Sequence, residues 1–250
     1  MTSYWRLTLV GLAAYVLFLV MTAPAAKLLP VLQPQMPQVQ FSGISGSLWS
    51  GRAQLVRSGR VSLDDVRWRF RPLALFTAAL EVGLEAQFIG QALRADAGVG
   101  AFSGPYVSDL SGSLPASEVL ALAGVSVAQL QGQVTFDIDR VTGLGAGLPA
   151  VAGQVAWAPA RVIAPLQLDL GKAQLQTRIE SGVTRGNLVA SGGALSLDGE
   201  VTFNPDGSYR LVGDAQKHGE LPQAVDRFLA TFAEYKDGKY RLEWSDKVKF

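Results

Sequence analysis

The chain has no cysteine and a single histidine among its 250 residues. The first absence excludes disulfides and thiolate chemistry, and it is compatible with an oxidising compartment. The second excludes any metal site built on several imidazoles. Charge is sparse as well, at 17% of residues, and almost balanced, with 22 Lys and Arg against 21 Asp and Glu. No broad basic field is on offer to a phosphate backbone, so nucleic acid is not an expected partner. What the chain does have is apolar surface, 48% of its residues, enough for a core and too much for general disorder.

The longest uncharged apolar run is Leu7 to Ala26, LTLVGLAAYVLFLVMTAPAA, bounded by Arg6 and Lys27. As a helix rising about 1.5 Å per residue it would reach about 30 Å, the thickness of a bilayer's hydrocarbon core. The competing reading is a cleaved secretory signal, since Ala23-Pro24-Ala25 has the small-x-small form of a cleavage site. Against cleavage, the positive charge ahead of the run is slight, and the run outlasts the usual signal core of about 7 to 15 residues. We expect a retained anchor. Arg6 and Lys27 nearly cancel in a positive-inside count, and the α-amine tips the N-terminus towards the cytoplasm. Beyond Lys27 the body carries 20 basic and 21 acidic residues. It is close to neutral.

After the run, LLPVLQPQMPQVQ (residues 28–40) places Pro at 30, 34 and 37, which stops a helix and favours an extended stand-off. The pattern then changes to period two, the sign of strands with one face buried. Val66, Trp68 and Phe70 alternate with Arg67, Arg69 and Arg71; Leu80, Val82 and Leu84 with Glu81 and Glu85. Val134, Phe136 and Ile138 alternate with Thr135, Asp137 and Asp139, and Tyr240, Leu242 and Trp244 with Arg241 and Glu243. Three stretches share one phrase of Gly, polar, Val, small, aromatic, namely 132–136, 153–157 and 199–203, each read as a strand entered through its Gly. The turn signals Asn204-Pro205-Asp206-Gly207 and Asp237-Gly238 join such strands into a meander. Helices are few: Pro115 to Ala123, stopped by Gly124, and Leu221 to Ala233, where Leu221, Val225, Phe228, Leu229 and Phe232 form one apolar stripe. The expected fold is mainly β, a curved antiparallel sheet with one or two short helices behind a single N-terminal transmembrane helix.

Catalytic constellations are scarce. His218 stands in Gln216-Lys-His-Gly219 and reads as part of a surface turn. Gly43-Ile-Ser-Gly-Ser47 breaks the nucleophile-elbow pattern at its fifth position. Asp137 and Asp139 are explained by strand alternation before any metal is needed, and Gly143-Leu-Gly-Ala-Gly147 lacks the last Gly of a dinucleotide loop and runs into Leu148-Pro149. Asp64-Asp65 interrupts an alternation and reads as a β-bulge. Trp49, Trp68, Trp157 and Trp244 could together form a sugar or lipid platform, but three of them fall on apolar strand faces and read as core. SGSLWSG (residues 45–51) reads as a strand corner, with Gly43, Gly46 and Gly51 permitting the bend and Leu48 or Trp49 turned inward. No catalytic, cofactor-binding or metal-binding residue is assigned, and no cofactor is expected.

The order of these parts carries a resemblance. An apolar span ending in Pro24-Ala-Ala26 comes first, then FSGISGSLWSGRA (41–53), VRWRFRP (66–72) leading to Leu75, LSGSLP (110–115), GQVAW (153–157), SGGALSLDG (191–199) and DGSYR (206–210). Together they resemble protein N of the bacterial type II secretion system, along nearly the whole chain. The resemblance implies a bitopic inner-membrane protein with a periplasmic β-rich domain, an accessory part of the machine that exports folded proteins. Its parts would be a cytoplasmic tip and anchor (1–27), a Pro-rich linker (28–40) and the periplasmic domain (41–250). The family is similar in build to AsmA-like proteins, whose curved sheets can form open grooves, and it brings no catalytic residues. Two functions follow as expectations: a tethered scaffold that binds other secretion components by a strand edge or apolar patch, or a groove that handles lipid. A closed, filled core would favour the first and a continuous open apolar trough the second.

Overall fold

The computed structural model describes residues 8, 11, 12, 15, 24–27, 38–122, 124, 128–145, 147–165 and 167–247, and of residue 228 the backbone alone. The expected anchor and Pro-rich linker therefore lie for the most part outside the described residues. Among the described residues no helix is long and apolar enough to cross a membrane.

The body is one antiparallel sheet of fifteen strands. In chain order these are β1 (Val39–Ser42), β2 (Ser45–Gly46), β3 (Ser50–Ser58), β4 (Val61–Phe70), β5 (Ala79–Phe88), β6 (Gln91–Gly100), β7 (Gly104–Pro115) and β8 (Gln129–Thr142). They continue as β9 (Ala150–Ala164), β10 (Leu168–Glu180), β11 (Val183–Gly192), β12 (Leu195–Phe203), β13 (Ser208–Lys217), β14 (Ala233–Lys236) and β15 (Lys239–Lys247). From β3 to β13 each strand pairs with the next, as a meander should; β1 and β2 flank β3 at one edge, and β15 then β14 close the other. The path does not return on itself, so the sheet is open.

The alternation read from sequence becomes two faces. In the registers, Ala86, Leu93, Gly112, Phe136, Val155, Leu175, Leu188, Gly199, Gly213 and Leu242 stand in one row across ten strands. One residue away on the opposite face run Glu85, Arg94, Ser111, Asp137, Gln154, Gln176, Asn187, Glu200, Val212 and Glu243. Period-two side-chain direction makes the first face apolar and the second polar over the whole width of the sheet. The sheet is curved: the Leu148 N–H in the β8–β9 connection donates to the Pro205 carbonyl in the β12–β13 connection at 3.0 Å, four strands along. On β9 the Val151 N–H reaches past β10 to the Thr184 hydroxyl of β11 at 2.9 Å.

Two α-helices and one 3-10 helix accompany the sheet, and Thr8, Gly11, Leu12, Tyr15 and residues 25–27 are also helical. Helix α1 (Ala116–Leu122) follows Pro115, and Gly124 beyond it adopts φ +72°, as its expected role of helix stop requires. Helix α2 (Gln223–Phe232) lays Leu221, Val225 and Leu229 on Leu195 and Ala215, with Leu168, Leu170, Leu197, Tyr240 and Leu242 around them. Leu221, Val225 and Leu229 are the buried part of the stripe read from sequence; Phe232 is exposed and meets Trp244 edge to face, and the Phe228 side chain lies outside what the structure describes. The 3-10 helix Pro72–Thr77, which carried no sequence expectation, joins β4 to β5.

One expectation needs correction. Gly132, Gly153 and Gly199 sit inside β8, β9 and β12 and do not open them. The strands are longer than the five-residue phrase, and at Gly132, with φ +112°, a Cβ would lie 1.9 Å from the Pro159 carbonyl oxygen. That glycine is there because two strands touch at a register shift.

Candidate functional site

On the polar face the β4–β7 region encloses a shallow concavity of about 740 Å³ in which arginine is concentrated. The alternation of β4 puts Arg67, Arg69 and Arg71 on that face; Arg52 enters from β3 and Arg94 from β6. Asp64 and Asp65 do form a bulge: the β4–β5 register shifts between Asp64 and Arg67, and Asp65 adopts φ +46°. The bulge turns the Asp65 carboxylate onto Arg52 at 3.1 Å and Arg67 at 2.7 Å. Arg94 lies 3.6 Å from Glu85.

Deeper in, Arg71 stands 2.7 Å from Asp96 and 3.7 Å from Glu81. Asp96 is only 4% exposed, and its Oδ2, though at ion-pair distance, has no well-aligned hydrogen bond. Burial pushes its carboxyl above the usual carboxylate range; the Arg71 guanidinium opposes that, while Glu81 and Asp109 add to it. Tyr106 donates its hydroxyl to Glu81 at 2.9 Å, and Arg140 stacks over its ring at 4.8 Å. Burial first, then the Glu81 bond, pushes the Tyr106 phenol up, so it stays a neutral donor. Two glycines make the room. A Cβ on Gly98 would fall 2.4 Å from the Tyr106 ring, and one on Gly83 would fall 3.2 Å from Asp96. Arg52, Arg67, Arg71 and Arg94 are each paired with a carboxylate within the cluster. Its chemistry is that of a strut for the sheet.

The residues weighed from sequence are scattered. His218 accepts or donates one bond, 2.9 Å from the Ser196 hydroxyl, at an exposed position. Asp137 and Asp139 are exposed on β8, with Phe136 half-buried and Ile138 buried between them, as alternation implies. Gly143, Gly145 and Gly147 belong to the β8–β9 connection, where Gly147 passes close to the Pro205 carbonyl. The corner at 45–51 is the β2–β3 hairpin: Trp49 packs edge to face on Phe70, and Trp68 lies against Gly51 and donates its indole N–H to the Ser47 and Leu48 carbonyls. Trp157 donates to the Gln131 carbonyl at 3.0 Å. The tryptophans are spread along the sheet and do not form one platform. Among the described residues no cluster of His, Asp or Glu could hold a metal ion.

The polar cluster was missed by sequence reading. Asp96 and Tyr106 stand in the Gly- and Ala-rich stretch from Ala95 to Tyr106, and the available signal was a charged residue between two alanines on a strand bordered by glycines.

The other prominent surface is the apolar face. Its side chains are half-buried along most of their length, α2 covers it at β12 and β13, and among the described residues no large side chain is fully buried. A chain of this size folded around a filled core buries several such side chains. Among the described residues, α2 is the helix packed over a buried cluster on this face, and elsewhere the face is mostly half-buried.

Comparison with known proteins bears on who uses these surfaces. The chain is similar to the type II secretion system protein N of Pectobacterium carotovorum subsp. carotovorum, 28% identical over 223 residues that cover 87% of this chain and 86% of the relative. It is 26% identical to that of Vibrio cholerae serotype O1 (84% of each) and 27% identical to that of Aeromonas hydrophila (92% of each). No solved structure matches the chain. The family model for type II secretion system (T2SS) protein N matches residues 37–243, from the threshold of β1 into β15, and the chain belongs to that family.

Proposed function

We propose that this type II secretion component is a non-enzymatic accessory protein that works by contact in the periplasm. In this reading Leu7–Ala26 holds it in the bacterial inner membrane with the N-terminus cytoplasmic. Residues 28–40 link that anchor to the β-rich body, and the body binds other secretion components. The observation that carries the reading is the sheet itself: among the described residues its fifteen strands do not close, and β1 and β14 stand at its edges. An exposed strand edge is a template for strand addition. Crosslinking in intact cells, with and without the other secretion genes, followed by mass spectrometry, tests it. Secretion components among the products support the reading; their absence overturns it.

A second reading has its own observation. Among the described residues α2 covers the apolar face only at one end, and a face left uncovered elsewhere would serve as a lipid-handling groove, with acyl chains lying where a second layer of side chains would otherwise pack. Phospholipid copurifying in stoichiometric amount with the detergent-solubilised protein would put lipid handling ahead of scaffolding.

A further inference from the structure

One end of the sheet has three connections side by side. They are the β2–β3 hairpin, the 3-10 helix Pro72–Thr77 and the β6–β7 turn at 101–103. Backbone bonds tie them together: Phe70 N–H to the Trp49 carbonyl at 2.7 Å, and Ala101 N–H to the Ala78 carbonyl at 2.9 Å. Their outward side chains are apolar. Leu73 is 75% exposed, Phe76 89% and Phe102 96%, with Leu75 and the cross-strand pair Leu80 and Val99 exposed beside them. Over 41–51, 72–80 and 97–106 there is no charged residue at all. Scattered apolar residues on a surface need no explanation, but a contiguous uncharged patch of large ones marks something that covers it.

The occupant is indicated by where the N-terminal segment ends. Pro24 forms an isolated antiparallel bridge with Ser47 in the same hairpin, Ala25 beside it is fully buried, and the Lys27 N–H closes a turn on the Pro24 carbonyl. Although residues 28–40 run on from it before the body begins, the end of the apolar run itself touches this corner. We propose that this end of the sheet is a membrane-contact surface, with Phe76, Phe102 and Leu73 entering the interfacial layer of the bilayer that holds Leu7–Ala26. Lys27, exposed beside the patch, supplies a cation of the kind that meets lipid phosphate. The inference rests on the anchor reading above and adds that the body lies against the membrane and does not hang free of it. The polar face then meets the periplasm with its arginine struts, and the apolar face reaches the bilayer through Leu80 and Val99.

The absence of cysteine supplies the test. Full-length F76C, F102C and, at the opposite end of β5, I89C each carry one thiol for an environment-sensitive fluorophore. Ile89 is also apolar and 52% exposed, so the comparison is between places and not residue types. The labelled proteins are reconstituted in phosphatidylethanolamine and phosphatidylglycerol vesicles containing lipid spin-labelled near the headgroup, and membrane retention is read in parallel by carbonate extraction. The expected result is quenching at 76 and 102 about threefold or more above that at 89. Equal quenching at all three sites, with the protein resisting extraction, overturns the contact surface and leaves the anchor standing. Quenching at 76 and 102 in a protein that extraction removes supports the surface and overturns the anchor.

Discussion

Asp96 is a carboxylate held where its charge is disfavoured, and that has a measurable consequence. In the unfolded chain it loses its proton near the ordinary value of 3.8; in the fold, burial delays that loss to higher pH. Between the two values the folded state binds the extra proton, so Asp96 makes stability fall as pH rises through that window and adds no slope above it. Asp96→Asn keeps the shape without the titration. The variant is expected to gain stability relative to the unmodified protein as pH rises from about 4 through the window, read from urea midpoints at a series of pH values. A difference that stays constant with pH would show that folding does not shift the Asp96 carboxyl from its ordinary value. Beside it, Gly98→Ala drives a methyl into the Tyr106 ring, which is buried and held by Glu81. A loss of about 1–3 kcal/mol is expected in the same unfolding assay, typical of overpacking, and Tyr106→Phe should cost less because it keeps the ring.

At the scale of elements, α2 is the only described helix with a buried cluster beneath it, so its apolar stripe should dominate the stability of this end of the sheet. Leu229→Ala is expected to cost about 2–5 kcal/mol and to raise proteolysis of the 217–236 segment. Phe232→Ala, at an exposed position, should cost about 1 kcal/mol through its contact with Trp244. Equal losses from the two would place the helix differently on the sheet. This stripe was legible in the sequence because residues spaced by helical turns were apolar while their neighbours were not. β4 was legible for the analogous reason, its arginines at 67, 69 and 71 standing against Val66, Trp68 and Phe70. β6 was less so: Ala95, Ala97, Gly98 and Gly100 carry little contrast between faces, and the meaning of Asp96 depends on Arg71, which register alone brings near. Gly132 and Gly153 misled for a third reason. Glycine marks both the start of a strand and a close approach inside one, and only the partner strand distinguishes them.

At the scale of the whole molecule, the sheet has one polar and one apolar face across its full width, with a helix covering only part of the latter. That asymmetry was present in the sequence as alternation, but whether the apolar face would be filled or open was not. Filling depends on whether a second layer exists, and a strand's own pattern is the same in both cases. The expected curvature is fixed by contacts such as Leu148 with Pro205 between distant connections. The partly covered face makes the protein's function a matter of what lies on that face, and neighbouring strand positions offer a matched pair of probes. Leu175 is on the apolar face and Gln176, the next residue on β10, faces the opposite side.

A photoreactive amino acid placed at 175 or at 176 in the full-length protein, irradiated in secreting cells, reads the occupant of each face. The account predicts adducts with a secretion component or phospholipid at 175, several-fold more abundant than at 176. Adducts of equal yield at the two positions, or adducts at 176 alone, would contradict it.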